Sequence, residues 1–339
     1  MVLERPGPIS ERRSDGDISG HPLSAREGPT PPPGEHEALL RVTACAVCRT
    51  DLQIVEGDLE AKKLPIVPGH QIVGRIVAKG AGVTSFREGD RVGVAWLATT
   101  CGTCLRCTEG RENLCAKATF TGWDRDGGFA THVVVDGGSL LRLPESYDDV
   151  SAAPLLCGGV IGHRSLDVCG VLPGQRLGLY GFGASARVVL QLARHRGCHV
   201  YVATRSETER ASALALGAEW AGGYDDAPPE RLDAAITFAP VGRVVIAALS
   251  ALERGGTVAI NAIHLDEIPA FDYGALFWER GIRSVSNFTR DDARAFLELA
   301  PSVPIQTKVE VYNLADANVA LERLKHGRVS GAAVLAMPD

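Results

Sequence analysis

The sequence predicts an α/β protein in which a β-rich segment precedes a doubly wound parallel sheet. Three observations support this fold class. Residues 38–143 consist largely of short apolar runs with strand alternation, separated by glycine-rich turns. From about residue 176, strands alternate with helices, which is typical of a parallel sheet with helical crossovers. The first of these strands leads through Gly181-x-Gly183-x-x-Ala186 directly into a helix.

The alternating part can be assigned element by element. Apolar runs predict strands at residues 176–180, 199–204, 232–238, 257–262 and 282–288. Apolar positions with helical spacing predict helices at residues 184–197, 207–218, 242–256 and 290–300. Thr289 immediately precedes the last of these helices, and its hydroxyl suits an N-cap.

The composition is that of a packed globular protein and argues against several classes of partner. The 339 residues are 45% hydrophobic and 22% charged, with a formal net charge of −6. An acidic chain disfavours nucleic acid, whose binding needs a basic face. No segment has the apolar length of a transmembrane helix, and the first twenty residues lack the apolar core of a secretory signal. We therefore expect a cytoplasmic protein without a nucleic-acid or membrane partner, in which the nine cysteines stay reduced.

Four cysteines, Cys101, Cys104, Cys107 and Cys115, lie within fifteen residues. This spacing lets a tight loop direct four thiolates at one tetrahedral zinc ion, and such a closed site is structural rather than catalytic. An iron–sulfur cluster fits less well, because ferredoxin-type runs have a different spacing. Four buried thiols without a metal are the plainer alternative. We expect a structural-zinc lobe at about residues 97–118, with the chemistry elsewhere.

The glycine-rich turn predicts a dinucleotide site. Gly181 and Gly183 allow a tight turn and a close approach of the backbone to a pyrophosphate, and the helix that follows offers unpaired N–H groups. A glycine motif alone is weak, and a simple turn is the alternative. The strand–turn–helix context and the further strands favour a dinucleotide, and hence a hydride carrier.

Three further potential metal ligands are scattered along the chain. Cys48 lies in AVCRTDL, His70 in VPGHQIVG and Cys157 in AAPLLCGGV. Two thiolates and one imidazole can hold zinc with a fourth position open to water or substrate. No local spacing unites these residues, and each alone suits a buried thiol or an ordinary histidine.

Taken together, these motifs resemble the zinc-dependent alcohol dehydrogenases of the medium-chain dehydrogenase/reductase superfamily. CRTDL, PGHQIVG, GDRVGVAW, the four-cysteine lobe, DGGFATH, AAPLLC and GFGASA occur in the family's order over roughly residues 38–339. The branch that looks nearest is the bacterial group similar to cinnamyl alcohol dehydrogenases. The resemblance implies a GroES-like catalytic domain, residues 1–155 with 290–339, and a Rossmann dinucleotide-binding domain, residues 156–289.

The resemblance also implies a chemistry. Cys48, His70 and Cys157 would bind a catalytic zinc, and the four clustered cysteines a structural one, which gives two zinc ions per chain. The catalytic ion would act as a Lewis acid on the substrate oxygen, and the alkoxide would pass a hydride to the nicotinamide. The implied function is the interconversion of small-molecule alcohols with aldehydes or ketones by a homodimer or homotetramer.

Four neighbouring positions take roles from the same resemblance. Thr50 would take the hydroxyl proton, and Asp51 would accept a hydrogen bond from the far ring nitrogen of His70. Arg49 would contact the cofactor pyrophosphate, and Trp96 would line the substrate pocket. The plainer interpretations are a turn-forming threonine, a surface arginine and a core tryptophan.

Two positions depart from the family pattern. Gln53 stands where many relatives carry a histidine that relays the proton to solvent, and an amide cannot exchange protons near neutrality as an imidazole does. Gln71 replaces a glutamate near the zinc, so the surroundings of the ion become less negative. The sequence therefore does not define the route of the proton to solvent, and it does not support a step in which that carboxylate binds the ion.

The residues after the second strand of the alternating part favour NADP over NAD. NAD-specific proteins carry an acidic residue about 20 residues past the glycine turn, where it binds the ribose 2′-hydroxyl. Thr204 occupies that position, and Arg205 and Ser206 follow it, so a guanidinium and a hydroxyl are available to a 2′-phosphate. Arg210 lies one turn into the next helix. The alternative is a permissive site beside a surface arginine.

Two other classes of protein stay open on sequence grounds. A zinc-free quinone or enoyl reductase on the same scaffold would lack the catalytic ligands, and all three are present here. A non-enzymatic zinc-ribbon module would bind nucleic acid through the four-cysteine lobe, and the acidic charge and the dinucleotide motif argue against it. Metal content combined with a screen of alcohols and aldehydes separates the three classes.

Overall fold

The computed structural model describes residues 1–10, 20–303 and 305–338. The β-strands are β1 (Val2–Leu3), β2 (Leu23–Ser24), β3 (Glu37–Val47), β4 (Gln71–Lys79), β5 (Arg91–Val94), β6 (Leu97–Thr99), β7 (Thr119–Phe120), β8 (His132–Asp136), β9 (Leu140–Arg142), β10 (Arg176–Tyr180), β11 (His199–Ala203), β12 (Trp220–Gly222), β13 (Leu232–Thr237), β14 (Leu252–Ile260), β15 (Gly281–Ser284), β16 (Val309–Asn313) and β17 (Ala332–Ala336). The α-helices are α1 (Arg49–Glu56), α2 (Leu105–Thr108), α3 (Asp149–Ala152), α4 (Gly158–Cys169), α5 (Ala184–His195), α6 (Glu207–Ala215), α7 (Gly242–Ala251), α8 (Arg290–Leu299) and α9 (Ala317–Lys325).

The chain divides into two compact units. Unit 1 comprises Met1–Cys157, Thr289–Glu298 and Thr307–Asp339, and unit 2 comprises Gly158–Phe288 and Leu299–Gln306. The segment 299–306 groups with unit 2, although the sequence placed all of residues 290–339 with the first domain. The side-chain amide of Gln191 on α5 accepts a hydrogen bond from the backbone N–H of Gln306 at 2.8 Å and donates to its carbonyl at 3.2 Å. These two bonds join Gln306 to α5 within unit 2.

Unit 1 is built on a seven-stranded sheet centred on β3. The strand order is β16-β17-β3-β4-β5-β9, and β8 pairs with β3. β3 pairs antiparallel with β4 and with β8, and its last residues pair with β17. Ala44, Cys45 and Ala46, near the end of β3, are completely buried. This strand therefore fixes the start of α1, which follows immediately.

Unit 2 contains a six-stranded parallel sheet in the order β12-β11-β10-β13-β14-β15. The strand order reverses between β10 and β13, which is the doubly wound arrangement. Leu177, Leu179, Val202 and Ile236 lie in the core of this sheet and are completely buried. The predicted fold class, a doubly wound parallel sheet with a separate β-rich part, is confirmed.

Several predicted boundaries are wrong. The predicted strand at 282–288 ends at Ser284, and the predicted helix at 207–218 ends at Ala215. The predicted helix at 242–256 ends at Ala251, and β14 begins at Leu252 with an extended backbone. Gly255 adopts a φ of +77°, a left-handed conformation that a helix interior does not tolerate. The N-cap prediction at Thr289 is confirmed, because its hydroxyl accepts a hydrogen bond from the backbone N–H of Asp292 at 3.1 Å.

Among the described residues, no helix combines the length and the apolar character that a membrane span requires.

Candidate metal centres and dinucleotide turn

Three side chains from separate segments of unit 1 meet at one point. Cys48 caps the N-terminus of α1, His70 directly precedes β4, and Cys157 follows the short helical turn after α3. The sulfurs of Cys48 and Cys157 are 4.0 Å apart, and the potential ligand atoms of all three residues lie within 4.8 Å of one another. Tetrahedral zinc with ligands at about 2.0–2.3 Å separates them by roughly 3.5 Å or slightly more. The group could therefore hold one zinc ion and leave a fourth position open.

Asp51 holds this group in place from the first turn of α1. Its side chain is completely buried. Oδ1 lies 3.0 Å from Nδ1 of His70 and accepts the backbone N–H of Gly69 at 3.1 Å, while Oδ2 accepts the backbone N–H of Cys48 at 2.8 Å. Because Nδ1 is engaged, Nε2 is the ring nitrogen of His70 available to a metal.

Contacts among these residues shift the pKa values of all three potential ligands. The contact with Cys157 lowers the pKa of Cys48 well below its usual value, and the same contact together with burial raises the pKa of Cys157. Burial by itself would lower the pKa of His70, but Asp51 and Cys48 outweigh it and raise this pKa to about 10. A metal needs both thiolates and the neutral imidazole, so its binding would release protons.

The remaining predicted residues of this region lie on or beside α1. Thr50 Oγ1 is 3.8 Å from Cys48 Sγ, and Arg49 is exposed. Gln53, one turn after Thr50, is buried, and its Oε1 has no hydrogen-bond partner among the described residues. Gln71 is equally buried, but its Nε2 donates to a backbone carbonyl of β3 at 3.2 Å. Among the described residues, the amide oxygen of Gln53 therefore lacks a hydrogen bond, whereas the amide nitrogen of Gln71 has one.

Replacing Gln53 with methionine is expected to stabilise the zinc-loaded protein in the absence of cofactor. A buried acceptor without a partner costs about 1–3 kcal/mol, and methionine has a similar volume without that acceptor. We expect the free energy of unfolding, measured by urea denaturation, to rise by about 1 kcal/mol. Gln71→Met is the matched control and should lower it, because that amide loses a hydrogen bond. Equal destabilisation by both variants would contradict the prediction.

Trp96 belongs to a cluster of three aromatic rings in unit 1. Its ring meets that of His70 edge-on, with 4.8 Å between centroids. It stacks on Phe120 at 5.2 Å and on Trp123 at 5.8 Å, and Lys62 Nζ lies 3.8 Å from the Trp123 ring centroid. Sequence reasoning missed Phe120 and Trp123. They reach Trp96 through the pairing of β6 with β7, which no local pattern reveals.

The four clustered cysteines converge on a second point. The sulfur–sulfur distances are 3.6 Å for Cys104–Cys107, 3.6 Å for Cys115–Cys101 and 3.9 Å for Cys101–Cys107. Tetrahedral zinc with Zn–S bonds of about 2.3 Å requires about 3.8 Å. Hydrogen bonds from the backbone N–H groups of Thr103 and Cys104 lower the pKa of Cys101 to about 6. The donor set and its spacing therefore fit zinc.

Arg290, at the start of α8, connects the loop around these cysteines to the rest of unit 1. Its backbone N–H donates to Glu112 Oε1 at 2.8 Å. Its guanidinium donates to Thr100 Oγ1 at 3.3 Å and to the carbonyl of Gly138 at 2.9 Å. A residue from a distant part of the chain thus positions the four-cysteine loop.

The predicted dinucleotide turn joins β10 to α5 in unit 2. Gly181 has a φ of +95°, and a Cβ there would lie 3.1 Å from the backbone nitrogen of Ala239. Gly183 is the N-cap of α5 and has no side chain to bond the first N–H groups of the helix. Ala186 is completely buried. The unbonded N–H groups and the positive end of the helix dipole could receive a pyrophosphate.

The end of β11 carries the residues predicted to select the cofactor. Thr204 is buried, and its hydroxyl donates to Glu209 Oε2 at 2.5 Å. Ser206 caps α6 by accepting the backbone N–H of Glu209 at 3.3 Å. Arg210 donates to the carbonyls of Thr204 and Arg205 at 3.0 and 3.3 Å, and the Arg205 side chain is exposed. Sequence reasoning missed Glu209, because it lies five residues beyond Thr204, the position at which a ribose-binding carboxylate is normally expected.

Both units match known protein families. The alcohol dehydrogenase GroES-like domain matches residues 34–145, and the zinc-binding dehydrogenase family matches residues 187–302. The probable alcohol dehydrogenase AdhA of Mycobacterium tuberculosis is 47% identical over 329 residues, which is 95% of each chain.

Solved structures give the same result. A cinnamyl alcohol dehydrogenase of Sorghum bicolor is 28% identical, with a TM-score of 0.84 over 93% of this chain and 92% of that one. An acetophenone reductase of Geotrichum candidum in complex with NAD is 26% identical, with a TM-score of 0.82 over 91% and 92%. The prediction of an alcohol dehydrogenase that uses a nicotinamide cofactor is thus confirmed. The chain belongs to the zinc-binding alcohol dehydrogenases of the medium-chain dehydrogenase/reductase superfamily.

Proposed function

We propose that unit 1 is the catalytic part of this alcohol dehydrogenase and binds two zinc ions. The observation that carries the proposal is the convergence of Cys48, His70 and Cys157 within 4.8 Å. When bound there, zinc supplies a Lewis acid for the substrate oxygen. The four-cysteine group is the structural site, since four thiolates leave no coordination position for a substrate.

The residues around the three-ligand group position the substrate and its proton. The Thr50 hydroxyl can accept a proton from an alcohol and donate its own, and it lies beside Cys48. Asp51 keeps His70 in one orientation through the contact at Nδ1. Trp96 forms one wall of the substrate pocket, because its ring contacts the His70 ring. Small-molecule alcohols, aldehydes and ketones are the substrates that this arrangement serves.

Unit 2 is the dinucleotide-binding part, and we propose that it prefers NADP(H). The pyrophosphate lies at the Gly181–Gly183 turn, as in other doubly wound sheets with this motif. The exposed guanidinium of Arg205 and the hydroxyl of Ser206 support binding of a 2′-phosphate. The ratio of kcat/KM for the two cofactors with one alcohol measures the preference, and a clear preference for NAD would refute it.

Zinc content and turnover together test the assignment of function. We expect about two zinc ions per chain and cofactor reduction with primary or secondary alcohols, followed by absorbance at 340 nm. If the chain held one zinc ion and kept its turnover after that ion was removed, the protein would instead be a reductase of activated double bonds that needs no catalytic zinc. Zinc without binding of a nicotinamide cofactor would indicate a binding module.

We also propose a homodimer formed through the edge of the unit 2 sheet. β15 ends the strand order, and the segment leading into it exposes Tyr273, Phe277 and Trp278 by 70%, 56% and 44%. An unpaired strand edge next to exposed aromatic side chains is typical of an association surface, and two copies can pair symmetrically. Light scattering should give twice the chain mass of 35.9 kDa. A mass of one chain at micromolar concentration would refute the dimer.

A further inference from the structure

A carboxylate reaches the end of β11 from a position that sequence patterns do not include. The strand-end residue is Thr204, which has no charge and is only 2% exposed. Glu209, in the first half of α6, folds back so that its Oε2 accepts the Thr204 hydroxyl at 2.5 Å. The end of the second strand therefore carries a negative charge after all, supplied by a different residue.

Hydrogen bonds hold both the backbone and the side chain of Glu209 in place. Its backbone N–H is bound by the cap residue Ser206, and its carboxylate is bound by Thr204. Glu209 is only partly exposed, whereas Glu207 in the same turn of α6 is exposed. The two carboxylates on this helix thus differ in exposure and in contact with the strand end, and the second difference can be tested.

Glu209 also acts electrostatically on side chains near the strand end and near the glycine turn. Burial raises the pKa of Tyr224, which follows β12. Arg205 lowers that pKa and Glu209 raises it, so both charges act on this side chain. On the other side, Glu209 partly offsets the effect of burial on the pKa of Arg187. Arg187 lies against the ring of Phe182 in the glycine turn, at 5.1 Å from its centroid. Glu209 thus contacts the strand end and acts electrostatically on Arg187, which contacts the turn residue Phe182.

We propose that Glu209 is a specificity-determining residue of the cofactor site, acting against Arg205. This inference rests on the proposed cofactor site at the glycine turn. The ribose 2′ position of a dinucleotide lies at the end of the second strand of such a sheet. A carboxylate there accepts a hydrogen bond from a 2′-hydroxyl and repels a 2′-phosphate, whereas the guanidinium of Arg205 attracts the phosphate. The preference for NADP(H) over NAD(H) therefore depends on both charges. Arg205 increases this preference, and Glu209 reduces it.

Titration of the zinc-loaded protein with NADPH and with NADH, followed by nicotinamide fluorescence, tests the proposal without turnover. Glu209→Gln should increase the ratio of NADPH to NADH affinity by on the order of tenfold, because a like charge is removed from the phosphate. Arg205→Ala should shift the ratio in the opposite direction. Thr204→Val, which releases the carboxylate without removing its charge, should give a smaller shift in the direction of Glu209→Gln.

Glu207→Gln is the matched control, since it removes the same charge from the same helix without the contact to Thr204. Its affinity ratio should stay within about twofold of the starting protein, which is what screening of an exposed charge allows. Equal shifts in Glu209→Gln and Glu207→Gln, or no shift in either, would overturn the inference and leave the dehydrogenase assignment intact. Failure of the unmodified protein to bind either cofactor would overturn the proposed cofactor site together with the inference.

Discussion

Replacement of His70 by alanine should lower kcat/KM for alcohol oxidation by on the order of 10³-fold or more. The imidazole is one of three groups proposed to hold the catalytic zinc, and its loss leaves the buried carboxylate of Asp51 without its partner at Nδ1. A bound metal ion contributes several kcal/mol to stabilisation of the transition state, and each 1.36 kcal/mol corresponds to about a factor of ten in rate. Steady-state kinetics and zinc content measured by mass spectrometry test the prediction.

Cofactor binding distinguishes loss of the proposed catalytic zinc from loss of the fold. Because the dinucleotide turn belongs to unit 2, binding of NADPH to the His70→Ala protein should persist while zinc falls from about two ions to one. His36→Ala provides the control, since His36 is an exposed histidine of unit 1 outside the three-ligand group. If His70→Ala kept both zinc ions and its full turnover, the three-ligand assignment would be wrong.

Cys104→Ser should produce the opposite combination, with a large loss of stability and a smaller loss of chemistry. The serine oxygen is a poor fourth ligand for a closed thiolate site, whose metal contributes directly to folding free energy. We expect zinc to fall from about two ions to one and Tm to fall by roughly 5–10 °C. At temperatures below the unfolding transition, the zinc group of Cys48, His70 and Cys157 should still support turnover. Differential scanning calorimetry and metal analysis measure both effects.

Cys198→Ser is the appropriate comparison for that variant. Cys198 is a buried thiol of unit 2 whose sulfur contacts only a backbone carbonyl at 3.6 Å among its described polar contacts. Its replacement should leave two zinc ions per chain. Retention of both zinc ions and an unchanged Tm in Cys104→Ser would show that the clustered cysteines hold no structural metal.

Features with a local signal could be predicted from the sequence. The alternation of strands and helices in unit 2 and the cap at Thr289 depend on neighbouring residues, as does the spacing of the four clustered cysteines. The grouping of Cys48, His70 and Cys157 has no local spacing and came from family resemblance. Glu209, Phe120 and Trp123 were not found, because their contacts arise only when a helix folds back or two short strands pair.

The pairing of β3 with β17 has a consequence for how the protein is made. Val47, next to Cys48, is paired with Ala333 near the far end of the chain. A ribosome adding about 5–20 residues per second needs roughly 15–60 s to synthesise the intervening chain. Unit 2 is largely continuous in sequence and can fold during that interval, while β3 can pair with β4 and β8 but not yet with β17. Seven of the nine cysteines belong to unit 1, and all seven are synthesised before β17 completes the sheet of that unit.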